Sequence, residues 1–145
     1  MSQDRDMHRG GCLCGAVRYE VAGQLRPALV CHCQMCQRTH GVPAAYTAAA
    51  QGDLRLTETR GLKWYRSSAV ARRGFCSECG ASIFWERVGG PGISIACGTL
   101  DPPSGVSIVG HIFMADKGDY YEMTDGLPQR VDGSGGQVPA SPTSF

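Results

Sequence analysis

The chain has 145 residues, 42% of them hydrophobic, and a formal net charge of +1. That length fits one domain with one core, and the composition excludes a disordered or low-complexity chain. The balanced charge excludes the basic excess of a nucleic-acid-binding or membrane-surface protein.

The first ten residues, MSQDRDMHRG, are charged and lack an apolar h-region. No apolar run approaches the ~18 residues of a membrane helix. The expected location is therefore cytoplasmic, where thiols stay reduced. Residues 1–7 read as a flexible N-terminus. Twenty glycines and eight prolines punctuate the chain, with no long 3.6-residue periodicity. This predicts a mainly β protein of short strands. Strands are expected over 16–22, 28–33, 43–50, 53–57, 62–66, 70–75, 82–88, 92–98 and 106–114. Residues 34–40 (QMCQRTH) read as a short helical turn stopped by Gly41. A second short turn is expected near 115–121. The last fifteen residues, VDGSGGQVPASPTSF, read as a flexible tail over 131–145. The folded domain is then 8–130.

Seven of the eight cysteines fall into three clusters: Cys12-x-Cys14, Cys31-x-Cys33-x-x-Cys36 and Cys76-x-x-Cys79. In a reducing compartment such clusters read as metal ligands rather than disulfides. In extended backbone, residues i and i+2 share a face, so Cys12 and Cys14 can reach one metal. Cys76-Ser77-Glu78-Cys79-Gly80 is a knuckle whose glycine permits the tight turn after it. Two pairs supply four thiolates, enough to close a tetrahedral zinc site. The metal would staple the N-terminus to the middle of the chain, so its binding energy becomes folding energy.

The group Cys31, Cys33 and Cys36 leaves one coordination position open, and an open position is where zinc chemistry happens. His32, between two ligands, points away from the metal. A dication with three thiolates carries a formal charge of −1. That charge weakens its Lewis acidity toward water, and thiolate donors suit a soft fourth ligand. The matching chemistry is activation of a small thiol for addition to an aldehyde. Cys97 could fill the open position. The alternation of Ile93, Ile95 and Cys97 with Ser94, Ala96 and Gly98 places it instead on the apolar face of a strand.

These residues carry a resemblance. HRGGCLCGAVRYE, CHCQMCQRTHG, KWYRSSAVARRGFCSECGASIFW, CGTLD and HIFMADKGDYYEMTDGLP together span about residues 8–128. They resemble the glutathione-dependent formaldehyde-activating family, which includes centromere protein V. The resemblance implies a β-tent of short antiparallel sheets organised around zinc, with one or two short helical turns. It implies a structural zinc at Cys12, Cys14, Cys76 and Cys79 and a second, more labile zinc at Cys31, Cys33 and Cys36, up to two per chain. The implied reaction is glutathione plus formaldehyde giving S-(hydroxymethyl)glutathione, a carbon–sulfur lyase reaction in reverse.

Glutathione is anionic, so its pocket should offer cationic or N–H donors. Arg38 and His40, just past Cys36, are the candidates for substrate binding. Phe75, Phe84, Trp85, Ile93, Ile95, Ile108, Val109 and Ile112 read as core, Arg72-Arg73 as a solvated strand end, and Asp101 and Asp125 as turn residues. The expected partners are a small thiol and an aldehyde, with neither nucleic acid nor membrane. The alternative function is a zinc-stabilised binding module without catalysis. A chromosomal role would be expected to use a basic extension, and the tail over 131–145 reads as neutral.

Overall fold

A computed structural model of the chain describes residues 7–133. Residues 1–6 and 134–145, most of the two ends expected to be flexible, lie outside the described residues. Among the described residues ten strands are present: β1 (His8–Gly11), β2 (Arg18–Val21), β3 (Ala28–Cys31), β4 (Ala45–Ala50), β5 (Leu54–Glu58), β6 (Leu62–Arg66), β7 (Ala71–Cys76), β8 (Ser82–Arg87), β9 (Gly92–Ala96) and β10 (Ile108–Ile112). One short helix, α1, spans Gln34–Thr39. Among the described residues, no helix is long and apolar enough to cross a membrane.

The strands form two sheets. A three-stranded sheet has the order β1-β2-β5, and a seven-stranded sheet has the order β10-β3-β4-β9-β8-β7-β6. The mainly β architecture with few short helices is the expected one. Pairing is antiparallel except between β3 and β10, which run parallel. The register of β2 shows how the small sheet faces the core. Tyr19 and Val21 are buried while Arg18 and Glu20 point outward, the period-2 pattern of a half-buried strand. Tyr19 and Val21 pack with Phe84, Ile93 and Ile95 in one cluster between the sheets. Each such side chain contributes about 1.5–3 kcal/mol by leaving water. The Tyr19 hydroxyl is not orphaned there, since it lies 2.7 Å from Thr99 Oγ1.

β4 is buried along five of its six residues, because it has a core on each side. Ala49 faces the main cluster. Tyr46 faces a smaller one with Cys36, Ala44 and Ala96, against which Cys31 and Cys33 pack. The second cysteine group therefore sits on the far side of the large sheet from the main core.

β1 was not anticipated. His-Arg-Gly-Gly has poor strand propensity, yet its glycine is what the position needs. A Cβ on Gly10 would lie 2.3 Å from the Thr99 carbonyl oxygen and 2.4 Å from the Tyr19 hydroxyl. The predicted strand 92–98 stops at Ala96, and Cys97 opens a 3-10 turn over Cys97–Thr99. After β10 the chain folds back. The His111 N–H donates to the Pro128 carbonyl at 2.8 Å and the Arg130 N–H to the His111 carbonyl at 2.9 Å. The C-terminal segment thus covers the outer edge of β10, a common protection of sheet edges.

Candidate metal centres

The fold gathers Cys12, Cys14, Cys76 and Cys79 into one group and Cys31, Cys33 and Cys36 into another, each with its sulfurs within 4.8 Å of one another. The partition expected from spacing is the one observed. Cys97 joins neither group; burial pushes its thiol up to about 11. It is only half-buried, because the strand ends one residue before it.

In the quartet, Cys14 Sγ lies 3.7 Å from both Cys12 Sγ and Cys76 Sγ. Sulfurs at the corners of a tetrahedron with metal–sulfur bonds of ~2.3 Å would stand ~3.8 Å apart, so the donor set fits a tetrahedral metal. Backbone amides surround these sulfurs. The Val17 N–H donates to Cys12 Sγ at 3.3 Å, and the N–H groups of Glu78 and Cys79 donate to Cys76 Sγ at 3.4 Å. Such donors favour thiolate over thiol. At Cys79 the Ala81 amide, then the Cys14 amide, help to lower the thiol to about 6. Gly80 adopts φ +83°, which the turn after the knuckle requires. Gly61 sits between the two halves of the quartet. Its N–H donates to the Ala16 carbonyl at 2.9 Å, and its carbonyl accepts from the Ser77 N–H at 2.7 Å.

The trio is built at the junction of β3 and α1. Cys33 is the N-cap of α1, its sulfur accepting from the Cys36 N–H at 3.4 Å. The helix ends where Gly41, at φ +98°, donates back to the Cys36 carbonyl. That is the glycine stop anticipated from the sequence. Without a cation the three sulfurs compete for charge. Hydrogen bonds from Cys31 and then Cys36 drive Cys33 down to about 2, and the same bond from Cys33 drives Cys31 upward. A metal at the trio would favour the thiolate form of all three sulfurs.

His32 points away from the sulfurs, as its place between two ligands implies. It is fully buried. Its Nδ1 lies 2.6 Å from the Tyr121 hydroxyl and its Nε2 2.9 Å from His111 Nδ1. His111 Nε2 lies 2.8 Å from Asp125 Oδ2. The carboxylate sets the direction of the chain, because it can only accept. His111 then donates from Nε2 and accepts at Nδ1 from His32 Nε2–H, and the tyrosine donates to His32 Nδ1. Asp125 also accepts from the Leu127 N–H at 3.0 Å, the local turn role expected of it. This chain ties the C-terminal segment to the backbone between Cys31 and Cys33.

A cavity of about 500 Å³ opens beside the trio, lined by Cys31, Cys36, Tyr46, Arg73, Trp85 and Ile112 among others. Trp85 and Ile112, expected in the core, are half-buried cavity walls, whereas Phe84, Ile93 and Ile95 are core as expected. Ile108 is exposed at the start of β10. His40 stands nearby, its Nδ1 3.5 Å from the Tyr46 hydroxyl. Burial, then the Arg73 charge, lowers its pKa. Arg38 lines a separate surface cleft with Gln34, Gln37 and residues 116–120. The guanidinium at the sulfurs belongs to Arg73 instead, with Nη2 3.6 Å from Cys36 Sγ. Sequence reasoning set Arg73 aside with Arg72. Only Arg72 points outward, pairing with Glu86 at 2.7 Å and lying over the Trp64 ring.

Comparison with known proteins agrees with this geometry. The profile of the glutathione-dependent formaldehyde-activating enzyme family matches residues 7–116. A Schizosaccharomyces pombe protein named an uncharacterized lyase is 26% identical over 83 residues, covering 57% of this chain and 60% of that protein. The chain thus spans three-fifths of that relative's length. A crystal structure of a Rhodobacter sphaeroides protein, a structural-genomics target, superposes with a TM-score of 0.55 at 27% identity, covering 69% of this chain and 97% of that one. With seven cysteines in two metal-competent groups and a profile match across most of the folded chain, the protein belongs to the glutathione-dependent formaldehyde-activating family.

Proposed function

We propose that the chain is a zinc-dependent enzyme of the carbon–sulfur lyase type. It adds a glutathione-like thiol to formaldehyde or another aldehyde at Cys31, Cys33 and Cys36. The observation that carries this reading is that two of the three sulfurs line a cavity of about 500 Å³ beside a buried guanidinium. Zinc held by the trio would lower the pKa of an entering thiol and keep it as a thiolate. The thiol proton leaves to solvent. The sulfur then forms a bond to the carbonyl carbon, the C=O π pair moves to oxygen, and that oxygen takes a proton from water. Tyr46 and Trp85 wall the cavity and limit water around the reacting atoms. Zinc at the quartet holds the fold and takes no part in the reaction. Eight free cysteines among the described residues accord with a reducing, cytoplasmic setting.

The test uses zinc-loaded protein, glutathione and ¹³C-formaldehyde. Adduct formation should exceed the spontaneous rate and fall to it in Cys33→Ser, which keeps the quartet. Calorimetry should show glutathione binding to the two-metal protein and none to the one-metal protein. A flat titration, with no rate above background, would leave a zinc-stabilised binding module.

A further inference from the structure

We infer that Arg73 is the oxyanion-binding residue of this site: it donates hydrogen bonds to the aldehyde oxygen as negative charge develops there. The inference rests on the thiol-addition reading above and assigns a catalytic role to a residue outside the cysteine framework.

Arg73 is 7% exposed. A buried guanidinium is costly unless anions or acceptors meet it. Among the described residues no carboxylate lies within ion-pair distance of it. Its neighbours are Cys36 Sγ at 3.6 Å and the Tyr46 side chain. The counter-charge is therefore the sulfur trio itself. That accounts for part of the fork only, since arginine has five N–H donors and the sulfur takes one from Nη2; Nε is unpaired as well but is buried away from the cavity. The side chain thus has capacity for one more acceptor, next to a ligand sulfur and in the wall of the cavity that a substrate would enter.

The backbone explains why the fork is fixed there. Arg73 on β7 pairs with Trp85 on β8, and Trp85 pairs with Ser94 on β9. All three line the same cavity. The guanidinium is carried by a strand paired on both sides rather than by a loop, so little rearrangement accompanies the reaction. When the thiolate sulfur bonds to the carbonyl carbon, the π pair of the C=O bond moves to oxygen. A fixed cation beside the sulfur stabilises that charge more than it stabilises the neutral carbonyl. Such differential stabilisation speeds the chemical step without tightening thiol binding.

The test separates this role from charge balance. Protein is loaded with cobalt(II) in place of zinc, so that thiol binding is read from cobalt absorption and adduct formation from ¹³C-formaldehyde. Arg73→Gln should keep its cobalt content and the wild-type midpoint for glutathione, while adduct formation falls by ~10²-fold, as on loss of an oxyanion-hole donor. Arg73→Lys, which keeps charge without the planar fork, should fold, hold cobalt and run at an intermediate rate. In the wild type the Arg73 Nε–H resonance should move when the hydroxymethyl-thiol adduct is added and not when thiol alone is added. A wild-type rate in either variant overturns the inference. So does a rate that falls only in proportion to lost cobalt in both variants, because Arg73 would then only balance the trio's charge. A wild-type protein whose cobalt spectrum ignores every thiol defeats the thiol reading itself, and this inference with it.

Discussion

The two cysteine groups offer the same ligand atom in different surroundings. Quartet sulfurs are wrapped by backbone amides and drawn from segments 62 residues apart. No quartet cysteine lines the cavity that opens beside the trio. Trio sulfurs come from six consecutive residues; Cys31 and Cys36 line a cavity, and Cys36 meets a buried arginine. A metal at the quartet closes a long loop and so stabilises the fold. A metal at the trio would close a loop of only six residues, so it would add little to the fold by loop closure. β7 joins the two regions, carrying Arg73 to the trio and Cys76 into the quartet three residues later.

The sharpest way to break this contrast is to remove one sulfur from each side. Cys76→Ser should abolish soluble folded protein, because losing a structural zinc forfeits on the order of 10 kcal/mol against a total stability of about 5–15 kcal/mol. Cys33→Ser should lower metal content by one equivalent and leave the circular dichroism spectrum and cooperative melting intact. Equal collapse of the two variants would mean that both groups are structural. Graded chelator treatment should follow the same order, releasing the trio metal while the protein stays folded.

Gly61 tests the quartet without touching a ligand. A Cβ there would meet Cys76 Sγ at 2.7 Å and Ala16 Cβ at 2.8 Å, both anchored in the staple. Gly61→Ala should cost about 1–3 kcal/mol, the usual range for overpacking, and should speed metal release from the quartet but not from the trio. Gly98→Ala, where an added Cβ meets nothing within 4 Å, is the matched control. Similar melting temperatures for the two variants would show that the region around the quartet yields easily.

Joining the two cysteine pairs into one quartet followed from the four donors a tetrahedral site needs, and the three clusters themselves were legible from local spacing. α1 and its stop at Gly41 were legible for the same reason, as was the direction of His32. The partners of these residues were not. His32 reaches His111 and Asp125 from 79 and 93 positions away along the chain, with distances of 2.9 Å and 2.8 Å along the relay, and no local pattern announces that. Arg73 had a signal that its charge overruled. Ala71 and Arg73 share a strand face, and Ala71 is buried, so period-2 alternation already pointed the arginine inward. β1 was hidden by its glycines, whose reason for being there is close approach: Gly10 to Tyr19 and Thr99, Gly11 to the Val17 carbonyl and Arg18.

The histidine chain offers a finer cut between the regions. Asp125→Asn keeps the shape but removes the charge that His111 Nε2 faces. Mutating a group that hydrogen-bonds a metal ligand typically costs 10–100-fold in metal affinity. Asp125 acts through two histidines rather than on a ligand directly, so a loss of about tenfold at the trio is the expectation. The quartet should not respond. A competition titration with a chromophoric chelator reads both sites, and equal weakening of both would mean general loosening rather than positioning.

The smallest expected effect lies on the quartet's side, where Arg18 clips β2 to the segment after β9 through Asp101 at 2.6 Å. The arginine's hydrogen bond, and then its charge, lowers the Asp101 pKa. A carboxylate with a lowered folded pKa adds stability that is complete above its unfolded pKa of ~3.9 and disappears as pH falls through the folded value. Asp101 is 49% exposed, so solvent screening holds the pair below about 1 kcal/mol. Asp101→Asn should therefore lower the melting temperature slightly at neutral pH, and the difference from wild type should vanish under acid. It should also shrink in high salt. A gap that persists in acid would assign the effect to side-chain packing instead of to charge.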